Sequence, residues 1–370
     1  MKCEVKKADL LRELKLMVKV VPGKNATAQP ALSSILVQAH NNALMLTATD
    51  LNMALVGACA AEVGDSGSML LPAIQLFHLV RAQSEDTIEL QTGKKKGNVV
   101  FRCGKFRSSF QTFDVDDFPT IPSIEGESVK LNRTSLKYLI PKVSYAVGDK
   151  NVMPVLYSVR MELPSQGVRL IGASAQCLSI AESNRPDKDD YQNAIIPVDA
   201  ISNLVALLNE PEEIEEIEFC QGDSHIFFEV DGRLFVCRRL TGEYPNYERL
   251  LPKKIEHTAE VKKGSLASVL KRLVLINPVV DFTFDKGVLS LSSVDKGESY
   301  ETIGGQGEEE LDIEYEGPKI AARYSGDSVL NFLNNMDGDF VNLGVVTEAK
   351  DERLFLQHGE YRNVIVGRKQ

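Results

Sequence analysis

The residue types that most often carry catalysis are present in this sequence but are not arranged for it. The five histidines are dispersed, and none has a second residue at a spacing that would hold a metal or support acid–base chemistry. Asp116 and Asp117 could form a carboxylate pair, but they precede a Phe-Pro corner that is repeated at residues 243–245, which favours an architectural role. The pattern therefore predicts that the protein is not an enzyme.

Cysteines and glycines give the same answer. The six cysteines are scattered, without a CxxC motif or a Cys/His cluster, which predicts reduced, mostly buried thiols in a cytoplasmic protein. Gly304, Gly305 and Gly307 are not followed by GK[ST] and precede an acidic run, so they predict a flexible loop rather than a phosphate cradle. We expect no metal and no cofactor.

Basic side chains form a more informative pattern. The formal net charge is −10, yet Arg12, Lys15 and Lys19 fall on one helical stripe that carries no acid. Two later segments, 132–147 and 262–277, contain basic residues and no acid at all. Most charged stripes are solvated surfaces, but three occurrences against the global charge favour a surface that faces phosphates and releases their counterions. No base-reading element is apparent, so such contact should not depend on DNA sequence.

The basic stripes must be positioned by helices that open three similar units. Apolar residues at 3.6-residue spacing predict two helices in each unit, and alternating residues predict a hairpin between them. The opening helices are predicted at residues 6–21, 132–147 and 262–277, the hairpins at 34–49, 158–174 and 281–293, and the second helices at 71–83, 196–209 and 325–336.

An internal repeat supports these units. Residues 99–122 resemble residues 226–252, since both contain two apolar strands around a Gly turn, then an acid, an aromatic residue and Pro. The offset is about 124–126 residues, which is far too long for a solenoid. Three tandem copies of one α+β domain fit the length, and no apolar run is long enough for a transmembrane helix, so no membrane partner is expected.

The chain as a whole resembles the bacterial sliding clamps, the beta subunits of replicative DNA polymerase. The resemblance is carried in collinear order by residues 46–55 (LTATDLNMAL), 116–122 (DDFPTIP) and 238–252 (RRLTGEYPNYERLLP). It implies three tandem copies of a DNA-clamp domain, and a head-to-tail homodimer that closes as a ring round duplex DNA with helices lining the hole. The implied domains are residues 1–123, 124–254 and 255–370.

The implied function is that of a cytoplasmic DNA sliding clamp, a processivity factor that tethers the replicative polymerase and the clamp loader through short hydrophobic peptide motifs. The residues predicted to face double-stranded DNA are Arg12, Lys15, Lys19, Lys24, Arg81, Lys137 and Lys142. By resemblance, the residues of the apolar pocket for partner peptides are Leu156, Leu178, Pro245, Leu250, Val364, Ile365 and Arg368.

Two segments beside this pocket depart from the family pattern. Residues 173–178 read ASAQCL where the family has Thr-Asp-Gly-His-Arg-Leu, and residues 365–368 read IVGR where it has Met-Pro-Met-Arg. The departures suggest a divergent, plasmid- or phage-borne, or paralogous clamp with partners of its own. An alternative is a clamp-fold interaction scaffold, or a paralogue with altered partners, that no longer loads on DNA. Because chain ends are often removable, we expect deletion of residues 365–370 to leave stability nearly unchanged.

An exposed apolar residue points to the subunit boundary. Leu275 is predicted on the outward face of its helix beside Lys271 and Arg272, where a leucine is hard to justify on a free surface. We therefore expect it to pack against the first domain of a second copy. The residues assigned to this interface are Phe106, Phe110, Val274 and Leu275.

Overall fold

The structure of the protein, a computed structural model, repeats one order of elements three times. Among the residues that it describes, each set runs strand, helix, four strands, helix, three strands. The described residues are 1–370 without 24–28, 94–96, 125, 166, 186–190, 212–213, 253, 256, 296–303, 349–350 and 369–370.

The three sets have closely matched elements. The first set is β1 (Lys2–Lys6), α1 (Lys7–Val20), β2 (Ser34–His40), β3 (Ala43–Thr49), β4 (Met53–Asp65), β5 (Gly67–Pro72), α2 (Ala73–Arg81), β6 (Thr87–Thr92), β7 (Asn98–Cys103) and β8 (Phe106–Gln111). The second is β9 (Ser128–Asn132), α3 (Arg133–Ser144), β10 (Ser158–Leu163), β11 (Gly167–Ala173), β12 (Cys177–Asn184), β13 (Tyr191–Pro197), α4 (Val198–Leu208), β14 (Glu216–Gln221), β15 (His225–Val230) and β16 (Arg233–Arg238). The third is β17 (Thr258–Lys262), α5 (Lys263–Leu273), β18 (Val279–Asp285), β19 (Val288–Asp295), β20 (Gly305–Asp312), β21 (Ile320–Ser325), α6 (Gly326–Asn335), β22 (Phe340–Glu348), β23 (Asp351–His358) and β24 (Tyr361–Val366).

All six predicted helices and all three predicted hairpins are confirmed, with shorter helix ends. On α1, the predicted apolar stripe is buried at Leu10, Leu14 and Met17, which explains why the 3.6-residue pattern was a reliable signal. One boundary was wrong in a way that matters, because α5 ends at Leu273. Leu275 therefore lies in the turn after the helix and not on a helix face.

The strands form three antiparallel sheets among the described residues. A twelve-stranded sheet follows the order β8-β7-β6-β1-β4-β16-β15-β14-β9, with β2, β3 and β5 branching from it. An eight-stranded sheet follows β13-β10-β11-β12-β24-β23-β22-β17, and a four-stranded sheet follows β20-β19-β18-β21. The chain divides into two compact units, residues 1–134 with 199–239, and residues 135–198 with 240–370. The first sheet lies in the first unit and the other two lie in the second.

The same strand pairing joins consecutive sets. In the first unit, β4 of the first set pairs with β16, the last strand of the second set, as Leu234 opposite Val56. In the second unit, β12 of the second set pairs with β24, the last strand of the third set, as Asn363 opposite Ser179. We call these two pairings the seams of the chain. Each seam joins the fourth strand of one set to the last strand of the next set.

The first residue of each opening helix ties its own set together. Lys7, Arg133 and Lys263 each donate their backbone N–H, at 2.7 Å, to a carbonyl just after the second helix of the same set. Their side chains also donate to carbonyls at the end of that helix, where a cation is favoured by the helix dipole. These acceptors are Gln83 O for Lys7, Leu208 O and Glu210 O for Arg133, and Met336 O for Lys263. The three sets can therefore be aligned residue by residue from these positions.

No helix of the described residues is long and apolar enough to cross a membrane.

Candidate functional site

The basic stripe of α1 is exposed as its spacing predicts. Arg12, Lys15 and Lys19 all lie on the solvent side of the helix. Two have an acid nearby, since Arg12 Nε lies 3.6 Å from Glu13 and Lys15 Nζ lies 3.6 Å from Glu210. Both separations are long for an ion pair, so each pair contributes little. The two basic side chains stay on the solvent side, although their acid partners are largely buried.

Other predicted DNA-facing residues divide into exposed and buried ones. Lys137 on α3 and Arg81 on α2 are exposed. The Arg81 guanidinium lies 5.3 Å from the centre of the Phe77 ring and 3.2 Å from His78 Nδ1, so it is held on the outer side of α2. Lys24 lies outside the described residues.

Lys142 does not face solvent, so the prediction that it faces DNA was wrong. Its side chain is only 3% exposed, and Nζ donates to the Asn335 carbonyl and to Asp337 Oδ2 at 3.2 Å. The ammonium also lies 4.1 Å from the centre of the Tyr138 ring and 4.9 Å from that of Tyr361. The helical period put Lys142 opposite the core of its own set, but α6 and β24 of the next set cover that face.

Two pKa shifts mark this lysine's surroundings. A hydrogen bond with Asp337 raises the pKa of the Tyr138 phenol to about 12. The same hydrogen bond, and then Lys142, lower the pKa of Asp337. The carboxylate is thus held in its charged form beside the ammonium.

Arg133 is likewise withdrawn from the basic face of α3. It is buried, and Nη1 donates to both oxygens of Asp231 at 2.9 Å while Nε donates to the Leu208 carbonyl at 2.9 Å. Within residues 132–147, Lys137 is therefore the basic residue that remains on the solvent side.

Tyr145 lies at a seam, between the end of α3 and strand β24. Its hydroxyl is 2.8 Å from the Tyr361 hydroxyl and accepts a hydrogen bond of 2.9 Å from Asn363 Nδ2. Burial raises its pKa well above the usual value, so the phenol stays neutral. Tyr145 thereby connects the end of α3 with the last strand of the next set.

The residues predicted for a peptide pocket are partly assembled in the second unit. Leu156, Leu178 and Val364 belong to one apolar cluster on a single face of the eight-stranded sheet, with Leu250 packed against its edge. Pro245 is exposed between Tyr244 and Tyr247, which cover the cluster. The full cluster consists of Leu156, Ile171, Ala173, Leu178, Ile180, Tyr244, Tyr247, Phe355 and Val364.

Polar contacts hold the covering segment in place. The Tyr247 hydroxyl donates to Glu162 at 2.9 Å, and the Arg160 guanidinium lies 5.7 and 5.9 Å from the rings of Tyr244 and Tyr247. Arg353 Nη1 donates to the Leu250 carbonyl at 3.2 Å. The segment is therefore fixed over the sheet, which is what a preformed pocket wall requires.

Ile365 does not belong to this pocket face, and its assignment was wrong. Successive residues of a strand point to opposite faces. Val364 lies in the apolar cluster, whereas Ile365 is fully buried on the other face with Tyr361 and Asn363, the partners of Tyr145. The half-buried Val366 stands on the pocket side.

The chain end is also more firmly fixed than a terminal position suggests. β24 is paired on both sides, by β12 and by β23. The backbone N–H groups of Gly367 and Arg368 then donate to the carbonyls of Glu352, at 2.7 Å, and Arg323, at 2.9 Å. Deleting residues 365–370 would remove a buried part of a central strand, so the structure favours a destabilising deletion over a harmless one.

The two segments that depart from the family pattern, residues 173–178 and 365–368, contact each other at the rim of the predicted pocket. Arg368 Nη2 donates to Gln176 Oε1 at 2.9 Å, and the Gln176 carbonyl accepts from the Val366 N–H at 2.9 Å. Gly367 is required by close approach, because a Cβ there would lie 2.7 Å from the Glu352 carbonyl oxygen. The two altered segments thus form one local structure.

The predicted interface residues have very different exposures. Leu275 is 85% exposed and Phe106 is 44% exposed, which is unusual for residues of this size. Val274 is half-buried as the C-cap of α5. Phe110 is only 3% exposed, so its side chain belongs to the core of the first unit and cannot present a contact surface.

Within the described residues, no group of three or more His, Cys, Asp or Glu side chains could hold a metal ion. None of the six cysteines forms a disulfide, and all six are buried. Burial raises the pKa of the Cys3 and Cys177 thiols to about 11 and that of the Cys59 and Cys237 thiols to about 12. Protonated, inaccessible thiols are poor nucleophiles.

Comparison with known proteins accounts for this architecture. The DNA polymerase III beta subunit N-terminal domain matches residues 1–122, and the central domain of the same subunit matches residues 130–246. The chain belongs to the DNA polymerase III beta subunit family. These matches confirm the resemblance seen in the sequence.

Relatives extend the similarity along the chain. The beta sliding clamp of Pseudomonas putida is 24% identical over 363 residues, 96% of this chain and 95% of its own length. That of Streptomyces coelicolor is 24% identical over 328 residues, 87% of this chain and 85% of its own length. Both are beta sliding clamps by name, and the similarity covers most of each chain.

Solved structures show the same fold. The DNA polymerase III subunit beta of Pseudomonas aeruginosa has a TM-score of 0.91 at 21% identity, and the sliding clamp of Caulobacter crescentus has a TM-score of 0.92 at 19% identity. Each comparison covers all of both chains. The prediction of a clamp fold of mixed helices and strands is confirmed.

Proposed function

We propose that this protein is a DNA sliding clamp that encircles duplex DNA as a head-to-tail homodimer and tethers a replicative DNA polymerase. Its three domains correspond to residues 1–123, 124–254 and 255–370. It acts in the cytoplasm without a cofactor and without turnover of its own. The observation that carries this proposal is the pair of strand edges that the seams leave open.

The repeated pairing scheme defines what is missing. Both seams join the fourth strand of a set, β4 or β12, to the last strand of the next set, β16 or β24. The corresponding strand of the third set is β20, and the last strand of the first set is β8. Among the described strands, each has one neighbour only. Joining β20 to β8 of a second copy completes the scheme, and a head-to-tail pair of chains closes when both such contacts form.

The other sheet edges do not have this property. β5, β13 and β21 are equivalent strands, and all three are edges. β9 and β17 are likewise equivalent edges. β8 and β20 are distinguished because their counterparts in the other sets pair with a strand of a neighbouring set. The counterpart of β9 and β17 is β1, which pairs with strands of its own set. An unpaired strand is a template for another chain.

The charges of the two open edges are complementary. Lys105 and Arg107 are exposed at β8, whereas β20 exposes Glu308, Glu310 and Asp312. Complementary potentials favour this pairing over the pairing of like edges and accelerate encounter.

Exposed apolar residues lie at the matching positions. Tyr361 is the first residue of β24 and contacts Tyr145, which stands twelve positions after the first residue of α3. Phe106 is the first residue of β8, and Leu275 stands twelve positions after the first residue of α5. The Phe106–Leu275 contact across the subunit boundary is the counterpart of the Tyr361–Tyr145 contact at the described seam.

The opening helices supply the DNA-facing charge. Arg12, Lys15 and Lys19 on α1, Lys137 on α3 and Arg81 on α2 are exposed cations in a chain of net charge −10. Their side chains neutralise phosphates without reading bases, so the clamp binds without sequence specificity and its affinity falls with salt. Lys24 completes this proposed set, and Lys142 is removed from it.

The apolar cluster beneath Tyr244 and Tyr247 supplies the partner site. A short hydrophobic peptide of the polymerase or of the clamp loader docks at its open edge, against Leu156, Leu178, Leu250, Val364 and Val366. Such docking depends on a few buried apolar anchors. The Arg368–Gln176 rim gives this clamp its own partner preference.

Two measurements test the function. Sedimentation of the full chain should give a dimer, and after incubation with a clamp loader the protein should be retained on nicked circular DNA but slide from linear DNA. Retention on neither DNA, with intact folding and dimerisation, would instead support the clamp-fold interaction scaffold.

A further inference from the structure

The buried site that the Lys142 side chain occupies has an unfilled counterpart on the first unit. Lys142 stands nine positions after Arg133, the first residue of α3, and Arg272 stands nine positions after Lys263, the first residue of α5. Both positions lie in the last turn of an opening helix and carry a cation. The alignment of the three sets therefore makes Arg272 the counterpart of Lys142.

The partners of Lys142 also have counterparts. Its ammonium donates to the carbonyl of Asn335, which stands nine positions after the first residue of α6, and it lies over the Tyr361 ring. Counting in the same way, Ala82 stands nine positions after the first residue of α2, and Phe106 begins β8. A cation placed like Lys142 would find the end of α2 and the ring of Phe106.

Space for such a side chain exists there. A pocket of about 580 Å³ lies between the end of α1, helix α2 and strand β8, and Leu79, Ala82 and Ser108 line it. Leu79 and Ser108 are the counterparts of Phe332 and Asn363. Phe332 stacks on Tyr361 with ring centres 4.2 Å apart, and Asn363 bonds Tyr145, so the equivalent space in the second unit is the one that the seam fills.

We propose that Arg272 of one copy docks in this pocket of a second copy, with its guanidinium at the C-terminal carbonyls of α2 and against the Phe106 ring. The end of a helix and an aromatic face both favour a cation. The inference rests on the homodimer proposed above and adds the residue that anchors it. It also assigns Arg272 to assembly rather than to DNA.

Arg272 is able to make this transfer. In the separate subunit its side chain is 55% exposed, and Nη2 donates to the two oxygens of Glu309 at 2.7 and 2.6 Å. Nη1 also donates to Ser268 Oγ at 2.8 Å. Solvent weakens ion pairs between side chains as exposed as these, so the pair can be exchanged for a site at the subunit boundary. His78 of α2 lines the pocket, Arg81 and Glu85 follow it along the chain, and Lys105 and Arg107 flank Phe106. Ser84 stands where the Lys142 site has Asp337.

Sedimentation equilibrium of full-length variants tests the anchor. Arg272→Ala should weaken dimerisation at least tenfold, whereas Lys271→Ala, which removes an adjacent exposed cation of α5, should have little effect. Arg272→Lys should recover most of the affinity, because the described counterpart is a lysine. Circular dichroism should show all three variants folded, since both side chains are exposed.

Glu309→Gln separates docking from a local role. If Arg272 acts by docking, releasing it from Glu309 should leave the dimer as tight or tighter. If Arg272 only braces β20 through Glu309, Glu309→Gln should weaken the dimer as much as Arg272→Ala does, which overturns the inference. If the wild type dimerises and Arg272→Ala weakens the dimer no more than Lys271→Ala does, the docking of Arg272 is overturned but the homodimer is not. If the wild type is monomeric, the homodimer itself is overturned.

Discussion

Glu13 and Arg233 form a bidentate ion pair although 220 residues separate them in the chain. Arg233 Nη2 donates to Glu13 Oε1 at 2.6 Å and Nε donates to Oε2 at 2.9 Å. Both side chains are buried. Gly57 on β4 makes room for the carboxylate, because a Cβ there would lie 2.4 Å from Glu13 Oε2. The pair therefore joins α1 to β16 at the seam where β4 and β16 meet.

Removing Glu13 should destabilise the protein strongly. Glu13→Ala removes the bidentate partner of the buried Arg233, whose other acid, Asp231, lies 4.0 Å away. Breaking a buried ion pair in this way costs about 3–5 kcal/mol. Denaturant unfolding of this variant should be compared with Arg12→Ala, which changes the exposed neighbour and should cost less than about 0.5 kcal/mol. A double replacement, Glu13→Leu with Arg233→Leu, should recover much of the loss. A cost for Glu13→Ala as small as that for Arg12→Ala would contradict the role of the pair.

Lys142 and Lys137 should behave differently although both are lysines of α3. Lys142→Ala removes charge-assisted hydrogen bonds to Asn335 and Asp337. The free energy of unfolding should therefore fall by up to about 1.5–3 kcal/mol for each bond that is lost. DNA binding should keep its salt dependence. Lys137→Ala should leave stability unchanged and lower the salt slope by about one unit. The reverse result would return Lys142 to the DNA-facing set.

The α1 stripe should account for a measurable share of DNA affinity. Replacing Arg12, Lys15 and Lys19 together by Ala should lower the slope of log affinity against log salt by up to about three units, for any DNA sequence. A matched control replaces Lys130, Lys286 and Lys319, which are exposed outside the helices. Equal losses in the two triple variants would show that only net charge matters.

Leu275 should be required for assembly. Leu275→Asp places an unpaired charge in the proposed contact with Phe106, so the chain should sediment as a monomer at micromolar concentration. Val152→Asp makes the same change at another highly exposed residue, 81% exposed, and should leave the dimer intact. A dimeric Leu275→Asp protein would place the interface elsewhere.

The pocket should respond to Val366 and not to surface charge in general. Val366→Asp should weaken binding of a polymerase or clamp-loader peptide by at least about 2 kcal/mol, roughly thirtyfold, because it puts a carboxylate among apolar anchors. Calorimetry of this variant should be compared with Val294→Asp, an exposed change on β19 that should bind normally. Tight binding by Val366→Asp would remove this strand from the site.

Two truncations distinguish the contribution of the last residues to peptide binding from their contribution to stability. Deleting residues 365–370 should lower the unfolding midpoint, since loss of a fully buried isoleucine alone costs about 2–5 kcal/mol. Deleting residues 368–370 should preserve the midpoint and remove the Arg368–Gln176 contact. A peptide affinity unchanged by the shorter deletion would show that this rim does not influence partner choice.

The sequence by itself determined the local structure and the repetition. The apolar stripe at Leu10, Leu14 and Met17 predicted α1, because burial of one helix face requires 3.6-residue spacing. The turn chemistry and the aromatic-Pro corner of the repeat at residues 99–122 and 226–252 also depend on nearby residues. The exposure of Arg12, Lys15 and Lys19 followed from the same period. Local patterns and collinear motifs were thus enough to recognise the family.

Tertiary structure alone decided which polar residues are buried. Lys142 and Arg133 have the same local signature as Lys137, but α6, β24 and the end of α4 cover them. The partners of Glu13 and Tyr145 are 220 and 216 residues away, and no spacing rule connects such positions. Ile365 and Val366 differ only in the face of β24 to which they point, which the pairing with β12 and β23 fixes. Long-range packing chooses among faces that the local pattern leaves equivalent, so these assignments required the fold.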